Sequence, residues 1–338
     1  MTKSVNVGNL TIGGGAPVSV QSMTDTPTTD IKATVGEIEA LQRAGADLVR
    51  VSVPDQASAK ALKSIVEATT LPIVADIHYD YRLAIAAMES GAHKIRINPS
   101  NTPAAGLKEI AQVANERLIP IRVGVNRGSV KENATPEMLA SLALDAAKRM
   151  EDAGCDRLVL AVKSSDVRET VAVNRILAKK TDYPLHIGLT EAGTTQSGII
   201  RSSAAIGALL LEGIGDTVRF SLSGNPVPEV IGAVRLLQSL GLREGVHVVA
   251  CPTCARTCID VAGLAERLER RFGNLPKNLK IAVMGCAVNG IGESQGADFG
   301  VCGGKDKSVL FRKGQIVKTV GNDCIEAELD ALLEECGG

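Results

Sequence analysis

The chain of 338 residues has no tryptophan, and aromatic residues make up only 2% of it. A core without large rings must be filled by Val, Ile, Leu and Ala, which suits helices packed on parallel strands. Charge of one sign is equally scarce. The formal net charge is -1, and there is neither a polybasic run nor an aromatic ladder, so a nucleic-acid surface is not expected. No stretch approaches 18 uninterrupted apolar residues, and Met1 to Asn6 lacks the apolar segment of a secretory leader, so we expect a soluble cytosolic protein with no membrane partner. In that reducing setting the eight cysteines are not expected to form a disulfide framework.

What the chain does contain is repetition. Short β-branched runs recur, each followed by a stretch of helical periodicity: Val18 to Met23, Leu48 to Val53, Ile73 to His78, Lys94 to Asn98, Ile121 to Asn126, Leu158 to Lys163, Leu185 to Thr190 and Val218 to Ser223. Several of these runs are entered through a small turn ending in a polar residue, as in Gly45-Ala46-Asp47, Gly91-Ala92-His93, Gly154-Cys155-Asp156 and Gly215-Asp216. This weak internal repeat predicts a closed (β/α)8 TIM barrel. The alternative, a doubly wound sheet, needs a Gly-rich phosphate loop after an early strand, whereas Gly13-Gly14-Gly15 precedes its strand. Val5 to Ile12, with Gly8-Asn9 at its centre, reads as a β-hairpin plugging the bottom of the barrel. Beyond Ser223 the pattern changes. We expect a barrel domain over 1–243 and a small α+β domain over 244–338.

Side chains two apart on a strand share a face, which sorts the barrel runs into two sets. Arg50 with Ser52, Asp76 with His78, Arg96 with Asn98, Arg122 with Asn126, and Arg219 with Ser221 each oppose Val, Ile, Ala, Phe or Leu neighbours. The apolar set suits the helix layer, so the polar set is expected to face the barrel interior near the strand C-terminal ends, where barrel enzymes place their sites. Arg50, Arg96, Arg122, Lys163 and Arg219 would then converge on one mouth and form a focused site for a phosphorylated or doubly charged compound. The bland reading, in which each cation pairs with a local carboxylate such as Asp76 or Glu191, fails for want of enough predicted lumen carboxylates.

The last third carries Cys251-Pro-Thr-Cys254 and then Gly285-Cys286. The C-x2-C spacing brings two thiolates to one metal, and the Gly-rich segment to Glu293 can swing a carboxylate toward the same centre. Spacing alone suits iron-sulfur and zinc equally, the latter using Cys251, Cys254, Cys258 and Cys286. Cys155, Cys302, Cys324 and Cys336 read as ordinary thiols.

Val20-Gln21-Ser22-Met23-Thr24, Ala75-Asp76-Ile77-His78, Arg96-Ile97-Asn98-Pro99, Gly188-Leu189-Thr190-Glu191-Ala192-Gly193, Gly213-Ile214-Gly215-Asp216-Thr217, the Cys251 to Cys254 motif and Met284-Gly-Cys286-Ala-Val-Asn289-Gly-Ile-Gly-Glu293 occur in one order across nearly the whole chain. Together they resemble the bacterial 4-hydroxy-3-methylbut-2-enyl diphosphate synthases. The resemblance implies a TIM barrel fused to a [4Fe-4S] domain, and reductive ring opening of 2-C-methyl-D-erythritol 2,4-cyclodiphosphate in the non-mevalonate isoprenoid pathway, with electrons from flavodoxin or ferredoxin. It implies Cys251, Cys254, Cys286 and Glu293 as cluster ligands, with Glu293 giving way to substrate oxygen. It also implies Glu191 as proton donor and a homodimer that brings the cluster domain of one subunit over the barrel of the other. Arg201 stands where the family usually shows lysine, keeping the charge for a phosphate contact but changing its donor geometry. Cys258 replaces a residue that is generally not cysteine, and Gly290-Ile-Gly-Glu293 replaces Gly-Pro-Gly-Glu.

Two other classes fit parts of the pattern. A pterin- or corrinoid-linked barrel transferase would bind a heterocycle in the barrel and carry the cysteines in an appended metal module that never touches substrate, and a zinc-stapled binding protein would use the cysteines without chemistry.

Overall fold

A computed structural model describes the chain except for residue Tyr79, residues 128–133, Asn274, Pro276, residues 287–289, Ile291, residues 293–295 and residues 335–338. It divides into two compact units, Met1–Leu242 and Arg243–Gly338.

The first unit is a barrel of parallel strands: β3 (Ser19–Met23), β4 (Leu48–Val53), β5 (Ile73–Ile77), β6 (Lys94–Ile97), β7 (Ile121–Asn126), β8 (Leu158–Lys163), β9 (His186–Ile187) and β10 (Thr217–Val218). They lie in the order β8-β7-β6-β5-β4-β3-β10-β9, and a parallel bridge between Leu160 and Leu185 joins the two ends. The outer layer is α1 (Ile31–Ala44), α2 (Gln56–Ala68), α3 (Tyr81–Glu89), α4 (Ala104–Glu116), α5 (Pro136–Asp152), α6 (Val167–Lys180), α7 (Thr195–Leu210) and α8 (Val227–Ser239). Helix α1 shows how local sequence sets these bounds. The Asp30 carboxylate accepts from Ala33 N at its start, and Gly45 ends it in the left-handed region at φ 104°. Thr34, Ile38 and Leu41 form its buried stripe, and Leu41→Ala would cost about 3 kcal/mol.

The repeated polar residue at the strand entries has a structural cause. Asp47 accepts from Val20 N at 2.7 Å, His93 Nδ1 from Ile73 N at 3.1 Å, and Asp216 from Leu185 N at 2.8 Å. Each satisfies a backbone donor at the edge of a neighbouring strand, where the ladder has run out.

Strands β9 and β10 are shorter than the expected runs. Gly188 comes so close to the Arg219 carbonyl oxygen that a Cβ would sit 2.3 Å from it, and the regular ladder stops at Ile187 and Val218. The N-terminal hairpin, β1 (Ser4–Val7) and β2 (Leu10–Gly13), packs Val5, Val7 and Ile12 against Leu48, Val74 and Val159. These three partners lie at or one residue after the starts of their strands, so the hairpin closes the bottom of the barrel.

The second unit is a mixed sheet of β11 (Val246–Ala250), β12 (Leu279–Met284), β13 (Phe299–Cys302), β14 (Lys307–Arg312) and β15 (Gln315–Gly321), in that order, with α9 (Val261–Phe272) and α10 (Ile325–Glu334). The first three strands run parallel and the last two antiparallel to their neighbours. Leu264 and Leu268 of α9 pack with Ile281, Val283 and Phe299 in its core.

Candidate active site

Alternation along the barrel strands delivers the basic residues to the interior, where a run of Val, Ile and Leu would be ordinary. Arg96, Arg122 and Lys163 are buried, while the side chains of Arg50 and Arg219 keep 13% and 16% exposure. Two lumen positions are vacated for them by glycine. A Cβ on Gly124 would lie 3.0 Å from Arg96 Nε, and one on Gly188 3.0 Å from Lys163 Nζ.

Asp76 is the hub on one side. Its carboxylate lies 3.3 Å from Arg96 Nη1, 3.8 Å from Arg50 Nε and 3.2 Å from His78 Nε2. Burial pushes its pKa up, but Arg50, the His78 hydrogen bond, Arg96 and Arg122 outweigh this and hold it well below the usual carboxylate range. On the other side is Glu229, which sequence reasoning missed. It is buried in the first turn of α8 and accepts from Leu222 N at 2.8 Å, Ser22 Oγ at 3.1 Å and Arg219 Nη2 at 3.4 Å. A helix-first-turn glutamate reads as a dipole partner in sequence, and only the fold turns it inward.

The five cations therefore face two carboxylates, Asp76 and Glu229. Burial, followed by repulsion from Arg50 and Arg96, draws the Arg122 pKa well down. Burial and then Arg122 do the same to Lys163, and burial takes Arg50 down to about 10 despite Asp76. Arg122 Nε and Nη1, Arg96 Nε and Arg219 Nε are buried with no hydrogen-bond partner among the described residues. Such an excess of desolvated positive charge is unfavourable unless an anion binds there.

A cavity of about 450 Å³ reaches this set at Arg96, and His78, Asn98, Asn126, Thr190 and Glu191 are among its other lining residues. Asn98 caps the short turn after β6 by accepting from Ser100 N at 3.2 Å, and Asn126 ends β7. Glu191 has a positive φ of 51°, rare for a residue with a side chain. Its neighbours hold it there, because Thr190 N donates to Ser164 O and Ala192 N to Ser221 O, each at 3.1 Å. Arg201, on α7, stands apart from the lumen cations. Its Nη1 donates to Ala192 O at 3.1 Å and its Nη2 to Ser165 O at 2.6 Å, bracing the Glu191 loop. Ser165, Asn101 and Arg127 also line the cavity and were not singled out in sequence, since loop residues carry no periodicity.

In the second unit, Cys251 follows β11 and Cys286 follows β12, and these adjacent parallel strands place the two segments together. Cys251 Sγ accepts from Gly285 N at 3.1 Å, and Cys258 N donates to Gly285 O at 2.8 Å. The backbone N–H of Arg256 lowers the Cys254 thiol pKa. Thiols that receive main-chain N–H groups fit metal or cluster ligation, since those donors favour the thiolate. Among the described residues no three His, Cys, Asp or Glu side chains converge as a metal site, and Glu293 lies outside the described residues. Cys258 is exposed, with Sγ 3.3 Å from Arg256 O.

Comparison with known proteins decides the family. The GcpE TIM-barrel domain matches residues 2–234, and the GcpE protein C-terminal domain matches residues 247–335. The chain belongs to the GcpE family. Among its relatives in this family, the 4-hydroxy-3-methylbut-2-en-1-yl diphosphate synthase (flavodoxin) of Thermotoga petrophila is 50% identical over 99% of this chain and 98% of its own. The proteins so named from Caldanaerobacter subterraneus and Geobacter sulfurreducens are 47% and 45% identical, each over 99% of this chain and 96% and 98% of their own. Solved structures of dihydropteroate synthase from Xanthomonas albilineans are similar to the barrel at a TM-score of 0.53 and 16% identity, covering 71% of this chain and 99% of theirs. At that identity the likeness extends to the barrel fold only and does not support a pterin ligand.

Proposed function

We propose that this GcpE-family chain is a 4-hydroxy-3-methylbut-2-en-1-yl diphosphate synthase, which reductively opens 2-C-methyl-D-erythritol 2,4-cyclodiphosphate with loss of water. The observation that carries this reading is the excess of five largely buried lumen cations over two carboxylates, next to a cavity that Arg96 and Glu191 both line. Arg50, Arg96, Arg122, Lys163 and Arg219 hold the diphosphate, with Asp76 and Glu229 orienting three of the guanidinium groups. His78, Asn98 and Asn126 line the binding cavity, and Arg201 secures the loop that presents Glu191. Glu191 gives a proton to the departing C3 hydroxyl, which leaves as water, while two electrons enter the substrate, the C2–O bond of the ring breaks toward the phosphate and a C2–C3 double bond forms.

Cys251, Cys254, Cys286 and Glu293 are the proposed holders of a [4Fe-4S] cluster. When bound, the cluster supplies electrons one at a time. A flavodoxin or ferredoxin is the proposed source of those electrons, and the working unit is a homodimer. No helix among the described residues is long and apolar enough to cross a membrane, and we place the protein in the cytosol.

The test is iron, sulfide and zinc content of anaerobically purified protein, with the EPR spectrum of the reduced form recorded with and without the cyclic diphosphate. About four iron and four sulfide per chain, with a signal that substrate alters, is expected for such a cluster. Zinc without sulfide would reduce the second unit to a staple and remove the reductase assignment.

A further inference from the structure

The cation mouth does not account for Lys94. Its side chain is completely buried, and its Nζ has no hydrogen-bond partner among the described residues. It sits on the lumen face of β6, one inward position below Arg96 and level with Val74, which packs on the hairpin plug. It therefore has an apolar floor beneath it and the anion site above. A lysine held there without a countercharge is a liability that a methionine of similar length would not carry.

We propose that Lys94 is a latent countercharge for the diphosphate, uncharged while the mouth is empty and protonated from solvent when the anion binds. The inference rests on the anion-binding reading above and extends it to a residue that does not touch the mouth. Every charged group around Lys94 bears on this. Arg50 on β4 and Arg122 on β7 repel an ammonium, and after burial they are the main causes that lower its pKa. Arg96 on its own strand, Lys163 on β8 and Arg219 just after β10 add positive charge to the lumen, whereas Asp76 on β5 and Glu229 on α8 offset part of it. His186 on β9 is completely buried, and burial and then Lys163 pull its pKa well down, so it adds no further positive charge. An incoming dianion offsets most of the net positive charge around Lys94, and the proton affinity of Lys94 rises with it. Gln21 Oε1 and the ring nitrogens of His186 are also buried without hydrogen-bond partners among the described residues.

The sign follows from linkage. A group whose pKa is higher in the complex than in the free protein takes up a proton on binding, so affinity falls as pH rises between the two values, by up to about tenfold per pH unit. The experiment is titration calorimetry of the full chain with the cyclic diphosphate near pH 8, in two buffers of different ionisation enthalpy. The ligand is a fixed dianion in this range, so the proton count belongs to the protein. The wild type is expected to take up on the order of one proton. Lys94→Met should bind more weakly with that uptake lost, and Lys94→Arg, which carries a permanent charge, should bind without uptake. Uptake unchanged in both variants, or none in the wild type, overturns the proposal and leaves the anion site intact. No binding by the wild type overturns the anion site as well. Should Lys94→Met fail to fold, the arginine variant alone decides.

Discussion

Arg96 and Arg122 are register partners on adjacent parallel strands, so two guanidinium side chains leave neighbouring strands at the same height and on the same lumen face. Like charges opposed in this way weaken a sheet. With no partner at its Nε and Nη1, Arg122 is held in place at the expense of stability. Arg122→Met should therefore raise the unfolding temperature by about 1–2 °C, consistent with roughly 1 kcal/mol in a chain of this size. It should also weaken cyclic diphosphate binding by at least about a hundredfold. Scanning calorimetry with a binding titration checks both, and a lower unfolding temperature would mean the arginine is structurally paired after all.

Asp76 works in the other direction. Removing its charge in Asp76→Asn leaves Arg50 and Arg96 without their carboxylate and should cost about 3 kcal/mol at neutral pH. Because the folded-state pKa of Asp76 is depressed, its contribution is fully present above the unfolded value of about 4 and is lost as pH falls toward the folded value. The gap between variant and wild type should thus narrow in urea unfolding series taken below about pH 4. A gap that stays constant down to about pH 2 would contradict the depressed value.

Glu229 positions Arg219 without reaching the cavity. Glu229→Gln keeps the shape and the acceptor for Leu222 N but loses the charge that holds the guanidinium. A KM increase of about tenfold with kcat within about threefold is expected, equivalent to roughly 1.4 kcal/mol of binding. A kcat collapse at unchanged KM would instead make Glu229 a participant in the chemistry.

Glu191→Gln retains size and loop geometry while removing the acid. Steady-state kinetics should show kcat reduced by about 10²- to 10⁴-fold, with cyclic diphosphate affinity nearly unchanged. If turnover survives, the proton comes from elsewhere.

Several features were legible from residue order alone. The period-two alternation that singled out Arg50, Arg96, Arg122, Lys163 and Arg219 is a property of extended chain, so it predicted which side chains share a face before any packing was known. The small glycine turns ending in Asp marked strand entries for a local reason as well, since Asp47 and Asp216 each cap a backbone donor next door. The C-x2-C motif likewise needs only a few bonds of reach.

What residue order could not decide depends on approach between distant segments. The shortening of β9 arises from the contact of Gly188 with Arg219 O, the inward turn of Glu229 from how α8 packs after β10, and the bracing by Arg201 from two loops meeting at one guanidinium. None of these has a period or a motif. The sequence by itself determined the alternation of faces and the local caps, because those follow from backbone geometry. The tertiary structure alone decided which charges compensate one another and which, like Lys94, are left over, because Coulomb energy and desolvation depend on distance and burial rather than on position in the chain.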